Sequence, residues 1–193
     1  MVGLGNPGAD YEGTRHNVGF AVARRLCDRI GAKPLETTRT YASWGTENLV
    51  VLTPLTFMNR SGEALVHFGE RHGLVPEDVL VVVDDVYLPL GALRLRARGG
   101  DGGHNGLFSI QESLGTDAYA RLRIGVGRGD EAQGLADHVL SGFAPEEGGA
   151  LAAALDLAGD ASLVWAREGV TKAMNRFNAA ARVERDNAPE GER

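Results

Sequence analysis

The stretch VLVVVDD, Val79 to Asp85, limits the choice of fold more than any other part of this chain. Its apolar residues run on without the alternation of a strand that has one face in water, so both faces of the strand have to be covered. Leu49 to Leu52 and Leu122 to Gly127 are further runs of strand type. The segments between have helical periodicity. In Val18 to Ile30, residues Val22, Ala23, Leu26, Cys27 and Ile30 share one arc, Arg24, Arg25, Asp28 and Arg29 share the other, and Gly31 follows as a stop. A second helix is expected after Ser61, which can cap it, with Ala64, Leu65 and Phe68 facing inward and an end near Gly73 and Pro76. Asn105 to Leu114 reads as a third helix, and an alanine-rich helical region extends from Pro145 to about Asn178. Strands alternating with helices predict an α/β fold: a mixed, largely parallel twisted β-sheet flanked by α-helices in three αβα layers.

A chain of 193 residues with 43% hydrophobic content can bury one good core, so a single domain over residues 1–180 is expected, with residues 181–193, ending in NAPEGER, as a frayed tail. The formal net charge of −6 excludes a protein coated in basic residues and leaves room for a local basic patch. ALRLRAR, Ala92 to Arg98, supplies one, because period two puts Arg94, Arg96 and Arg98 on one face of a strand. The single cysteine, Cys27, can form no internal disulfide, and no charged-then-apolar leader opens the chain, so a cytoplasmic setting is expected. The most apolar stretch, Ala150 to Ala158, is interrupted by Asp156 and is far shorter than the ~20 residues of a spanning helix. No membrane span is expected.

GLGNPG, Gly3 to Gly8, matches the glycine pattern of dinucleotide sites, but its surroundings do not. There the helix begins inside the motif, and an acid follows the next strand about 20 residues on. Here ADYEGTRHN intervenes before helical periodicity starts, and Asp28, at the right distance, sits within a helix. The glycines are better suited to a turn that presents Asn6, Tyr11 and His16 at the C-terminal edge of the sheet. Read singly, Asn6 could satisfy turn amides and His16 could cap the next helix. Asp84 and Asp85 end the Val79–Val83 strand, where a carboxylate can fix a histidine tautomer or serve as a surface acid. Asn59 precedes the second helix, and GGDGGHNG, Gly99 to Gly106, suspends His104 and Asn105 among glycines, as a flexible loop or as a close approach to a ligand.

Taken together, GLGNPGADYEGTRHNVG, PLTFMNRSG, VVVDDVYLPLG, GGDGGHNG, RLRIGVG and GVTKAMNRFN resemble the motifs of the bacterial peptidyl-tRNA hydrolase family, in its order, from residue 1 to about residue 180. That family cleaves the ester joining a peptide to the terminal ribose of tRNA, and so recycles tRNA from aborted translation. The resemblance implies that His16 is the catalytic base, Asp84 its orienting partner, and Asn6 part of the catalytic set. It places Asn59, Asn105, Tyr11, Phe57 and His104 in the substrate site, His104 within a mobile gate region, and Arg96 and Arg123 as a clamp on a tRNA phosphate. Tyr87 stands where many members have an acid, and the first strand is expected to be short.

Ester hydrolysis needs a base near neutral pH, a carboxylate to hold it, and amide donors for the developing oxyanion. His16, Asp84 and the asparagines supply them. No G-x-S-x-G occurs and Cys27 lies on a buried helical arc, so direct attack by water is expected in place of an acyl-enzyme. Asp84 and Asp85 should point to opposite faces of their strand, leaving Asp85 for solvent or loop contact. His67 and His72 fall on different helix faces, so neither a metal nor any other cofactor is expected. Arg94, Arg98 and Arg121 could add phosphate contacts or form a solvated face, and Tyr11 could stack on substrate or pack in its loop. The partner implied is peptidyl-tRNA, taken by a monomer. Two rival readings are a non-catalytic RNA-binding relative and a nicotinamide-dependent oxidoreductase.

Overall fold

A computed structural model describes the backbone of residues 1–129 and 134–186 and the side chains as far as residue 178. Its elements are β1 (Val2–Gly3), α1 (Val18–Ile30), β2 (Lys33–Thr37), β3 (Tyr41–Thr46), β4 (Leu49–Pro54), α2 (Ser61–His72), β5 (Leu80–Asp85), β6 (Leu93–Arg96), α3 (Asn105–Leu114), β7 (Ala120–Gly125), α4 (Leu135–Leu140), α5 (Gly148–Glu168) and α6 (Val170–Asp186). Seven strands form one sheet in the order β2-β3-β4-β1-β5-β7-β6. The middle four, β4-β1-β5-β7, are parallel, and β2, β3 and β6 join antiparallel at the edges.

The uninterrupted run of β5 is used as its composition requires. Leu80 and Val82 enter one core with Val22 and Leu26 of α1, Ala158 of α5 and Phe177 of α6. Val81 and Val83 enter the other with Leu65 of α2 and Leu107 and Ile110 of α3. Three layers result, as expected of the sequence. α5 has the length to span a bilayer, but its Ala154, Ala158 and Ala161 are buried in the first core. Its Asp156 and Asp160 pair with Arg25 and Arg29 of α1 at 2.5 Å each.

Several expected boundaries move. β2 and β3, KPLET and YASWGT, carry no apolar run and were not anticipated. The region from Pro145 to Asn178 is two helices, parted at Gly169, whose φ of 83° an L side chain rarely adopts. α6 continues to Asp186, past the expected domain end at 180, and the tail sequence 187–193 lies outside the described residues. Ser61 is the first residue of α2 and makes no side-chain cap; its Oγ donates to the Met58 carbonyl at 2.8 Å. β6 ends at Arg96, leaving Arg98 beyond the strand.

The glycines of the first loop serve helix packing. A Cβ on Gly3 would lie 2.2 Å from the Gly19 carbonyl oxygen, and one on Gly5 would lie 2.6 Å from the Phe20 ring. β1 and α1 thus touch backbone to backbone, and no pyrophosphate cradle is left between them.

Candidate active site

The carboxyl ends of the parallel strands deliver the site residues to one edge of the sheet, the usual ligand edge of open α/β folds. β1 leads into Asn6, β4 into Phe57 and Asn59, and β5 ends in Asp84 and Asp85. His16 lies on a short 3-10 turn, Arg15–Asn17, just before α1. Both neighbours of His16 anchor that turn. Arg15 donates to the Val126 carbonyl (2.8 Å), forms a two-pronged pair with Glu147 (3.0 and 2.7 Å), and lies over the Phe143 ring. Asn17 grips the Asn6 backbone twice: its Oδ1 accepts from the Asn6 N–H (2.8 Å) and its Nδ2 donates to the Asn6 carbonyl (3.0 Å). Neither tie was anticipated. Asn17 directly follows His16 in the motif and could have been suspected, whereas nothing local links Arg15 to a glutamate 132 positions away.

Asp84 is 3% exposed and holds two histidines on one oxygen. His16 Nδ1 lies 2.8 Å from Asp84 Oδ1, and His104 Nε2 lies 3.0 Å from the same atom. The protons can be assigned by elimination. His104 Nδ1 accepts the backbone N–H groups of Gly106 (3.1 Å) and Leu107 (3.3 Å), so the His104 proton sits on Nε2 and is donated to Asp84. A charged Asp84 then accepts from His16 Nδ1–H, which leaves His16 Nε2 as the basic lone pair. Burial works against the Asp84 charge, but the attraction and hydrogen bond of His104 and the hydrogen bond of His16 outweigh it, holding the carboxyl below the ordinary carboxylate range.

His104 is thus hydrogen-bonded through both ring nitrogens. It is 8% exposed and is the N-cap of α3. By atom type His16, Asp84 and His104 could hold a metal ion, their ligand atoms lying within 4.8 Å of one another. A metal at His104 Nε2 would drive that proton onto Nδ1, into the two amide N–H groups it accepts. The donor set fits hydrogen bonding better than ligation. His67 and His72 are engaged separately, with Thr40 (2.7 Å) and Glu36 (3.1 Å).

His16, Asp84, Asp85, Tyr87, His104, Asn105 and Arg123 border one pocket of about 230 Å³, lined also by Leu135, Ala136 and Val139. Asn105 opens α3 and is exposed. Asn6 does not border this pocket: it is buried, its Oδ1 fixed by the Met58 N–H at 2.8 Å, and it lines a separate, larger groove of about 750 Å³ along α1. Next to Met58, Phe57 is 53% exposed and meets the Tyr11 ring edge-on at 6.2 Å, while Asn59 is exposed. Tyr11, half-buried, thus packs against a residue of the neighbouring loop.

Asp84 and Asp85 do diverge, since they continue opposite faces of β5. Asp85 is nonetheless 7% exposed, so solvent is not its partner. It accepts the Tyr87 N–H (2.9 Å) and lies 3.4 Å from Arg123 NH1. The arginines separate further. Arg96 is exposed at the opposite, amino edge of β7, level with Arg121. Arg121 is 1% exposed and out of reach of any phosphate, which overturns its expected role. Arg123 shows 12% of its side chain at the pocket.

A family model described as peptidyl-tRNA hydrolase matches residues 1–186. A peptidyl-tRNA hydrolase of Halalkalibacterium halodurans is 44% identical over 184 residues, 92% of this chain and 98% of the relative. One of a Synechococcus species is 46% identical over 183 residues, 92% of this chain and 82% of the relative. The crystal structure of peptidyl-tRNA hydrolase from Acinetobacter baumannii superposes with a TM-score of 0.84 at 36% identity, covering 92% of this chain and 93% of the other.

Proposed function

As this chain belongs to the peptidyl-tRNA hydrolase family, we propose that it cleaves the ester of peptidyl-tRNA by general-base catalysis from His16. The observation that carries this reading is the 2.8 Å contact of His16 Nδ1 with a buried carboxylate, which leaves Nε2 as acceptor beside the pocket. In the proposed reaction Nε2 takes a proton from water as the water oxygen attacks the ester carbonyl. Asp84 stabilises the imidazolium that forms. The tetrahedral oxyanion is met by side-chain amides, Asn105 from the start of α3 and Asn6, whose Nδ2 is oriented because Oδ1 is fixed by Met58. Collapse expels the ribose oxygen, which takes the proton back from His16, and frees the peptide carboxylate.

Asn59, Phe57 and Tyr11 would then meet the peptide, and Arg96 with Arg123 would take up tRNA phosphate. The register puts Arg96 three residues below the level of Asp84, about 10 Å at the usual strand rise, so a phosphate at Arg96 lies well away from the ester, while Arg123 borders the pocket itself. In this reading the enzyme works as a cytoplasmic monomer, with neither metal nor cofactor and without a membrane.

The test is release of N-acetyl-amino acid from N-acetyl-aminoacyl-tRNA by wild type and His16→Ala, with unblocked aminoacyl-tRNA as control. Cleavage by wild type, a spared control and a collapsed mutant rate support the mechanism. An unchanged His16→Ala rate removes the base from it, and tRNA binding without cleavage would favour an RNA-binding module.

A further inference from the structure

Because β6 runs antiparallel to β7, it leaves the sheet at Arg96, opposite Arg121, whereas Asp84 lies level with Ile124. Residues 97–103 must climb those three levels of β7 before His104 can reach Asp84. Glycine-rich chain cannot hold such a path by itself, since it has the most conformational freedom to lose. Two arginines, alternate along β7 and hence on one face, hold it.

Arg121 is the lower tie. It is buried, and among the described residues no carboxylate oxygen hydrogen-bonds to it. NH1 donates to the Gly99 and Gly100 carbonyls, NH2 to those of Asp117 (2.8 Å) and Tyr119 (3.0 Å), and Cζ lies 4.2 Å from the Tyr119 ring centre. A cation buried in this way is costly unless its donors are used, and here almost all of them fix main-chain carbonyls. Arg123 is the upper tie. Its NH2 donates to Gly100 O (3.3 Å) and Asp101 O (2.7 Å), and NH1 reaches Asp85. The Asp101 carbonyl also accepts the backbone N–H of His104, at 3.2 Å. One oxygen thus joins the Arg123 guanidinium to the residue that grips Asp84 and precedes Asn105. Gly102, with φ 61°, lies on the guanidinium so closely that a Cβ would be 3.0 Å from NH2.

We propose that Arg123, seated above Arg121, is a positioning residue for hydrolysis: through the Asp101 carbonyl it fixes the 99–103 loop so that His104 and Asn105 are held at Asp84, whether or not it also meets phosphate. The inference rests on the placement of catalysis at His16, Asp84 and Asn105.

A pair of substrates separates the two roles of Arg123. One is N-acetyl-aminoacyl-tRNA; the other is the N-acetyl-aminoacyl ester of adenosine, which has the ester and the terminal nucleoside but no phosphate. Arg123→Gln is expected to lower kcat on both by a similar factor, about ten- to a hundredfold for a loop displaced by about an ångström, with part of the loss regained by Arg123→Lys on the phosphate-free ester. Hydrogen exchange at the Gly103 and His104 amides should accelerate in Arg123→Gln while β5 and β7 keep their protection. Gly102→Ala, which keeps every charge, should also lower kcat on the phosphate-free ester. A rise in KM confined to the tRNA substrate, with the adenosine ester hydrolysed as by wild type and loop exchange unchanged, would overturn the inference and leave a phosphate ligand only. If His16→Ala also hydrolyses both esters like wild type, the site itself is misplaced.

Discussion

Asn105 illustrates how much of the site one residue can disclose. It is exposed at the first position of α3 and packs into no core, so its removal tests chemistry with little disturbance of the fold. Asn105→Ala is expected to lower kcat by roughly two to three orders of magnitude, as for loss of one oxyanion donor, with a thermal midpoint close to that of wild type; a wild-type kcat would remove the amide from the mechanism. Cys27 makes the opposite point. Burial, followed by the Asp28 charge, pushes its thiol up to about 11, so native protein at pH 8 should react with iodoacetamide far more slowly than urea-unfolded chain. His16, Asp84, Asn6 and Asn105 were legible as candidates through the resemblance that the ordered motifs carry; read singly, each had an ordinary turn, cap or surface alternative. Arg15, Asn17 and the double duty of His104 were not, because their meaning lies in partners that only the fold brings near. Arg121 and Arg123 share a face by simple alternation, yet alternation does not say that one of them would be roofed by the loop it holds.

Elements show the same division. α1 and α3 were readable because their apolar residues keep the helical period, and β4 and β5 because theirs form an unbroken run. β2 and β3 were not, since their short mixed sequences carry no apolar run; β3 takes its place by a six-residue antiparallel register with β4 and by burying Tyr41. The join of α1 to β1 depends on what glycine lacks. A Cβ on Gly19 would stand 2.5 Å from Leu4 N, Leu4 O and Val82 O, all backbone atoms that cannot turn aside. Gly19→Ala should destabilise the fold by about 1–3 kcal/mol, as overpacking does, seen as a lowered urea midpoint. At the other end of the sheet, the Asn178 side chain pairs with edge strand β6, accepting from Leu95 N–H (2.8 Å) and donating to Leu95 C=O (2.9 Å). Asn178→Ala strands both groups and should cost about 1–3 kcal/mol; an unchanged melting temperature would mean that water replaces the amide without loss.

For the molecule as a whole, acid and salt are the informative variables. The Tyr41 hydroxyl, then His72 and Arg71, hold the Glu36 carboxyl at about 2, and Asp84 is also held low. A carboxyl lowered on folding adds stability above its unfolded value, near 4, and loses it as pH falls through the folded value. The gap in urea midpoint between wild type and Glu36→Gln should therefore be full at pH 7 and close between about pH 4 and pH 2; a gap independent of pH would refute the assignment. Since the net charge is −6, tRNA must be drawn by a local patch, and KM for the tRNA substrate should rise with salt while that for the adenosine ester stays level. The Asn178 clasp has a further consequence for how the chain is made. β1, formed first, must wait for β5 to complete its pairing, and among the described residues the open side of β6 at Leu95 is bonded by Asn178 of α6. A ribosome making this protein therefore extrudes most of the sheet before its exposed border can be sealed. Until α6 emerges, the growing chain carries an adhesive edge, and a message truncated before Asn178 would yield a product prone to aggregate even with every catalytic residue in place.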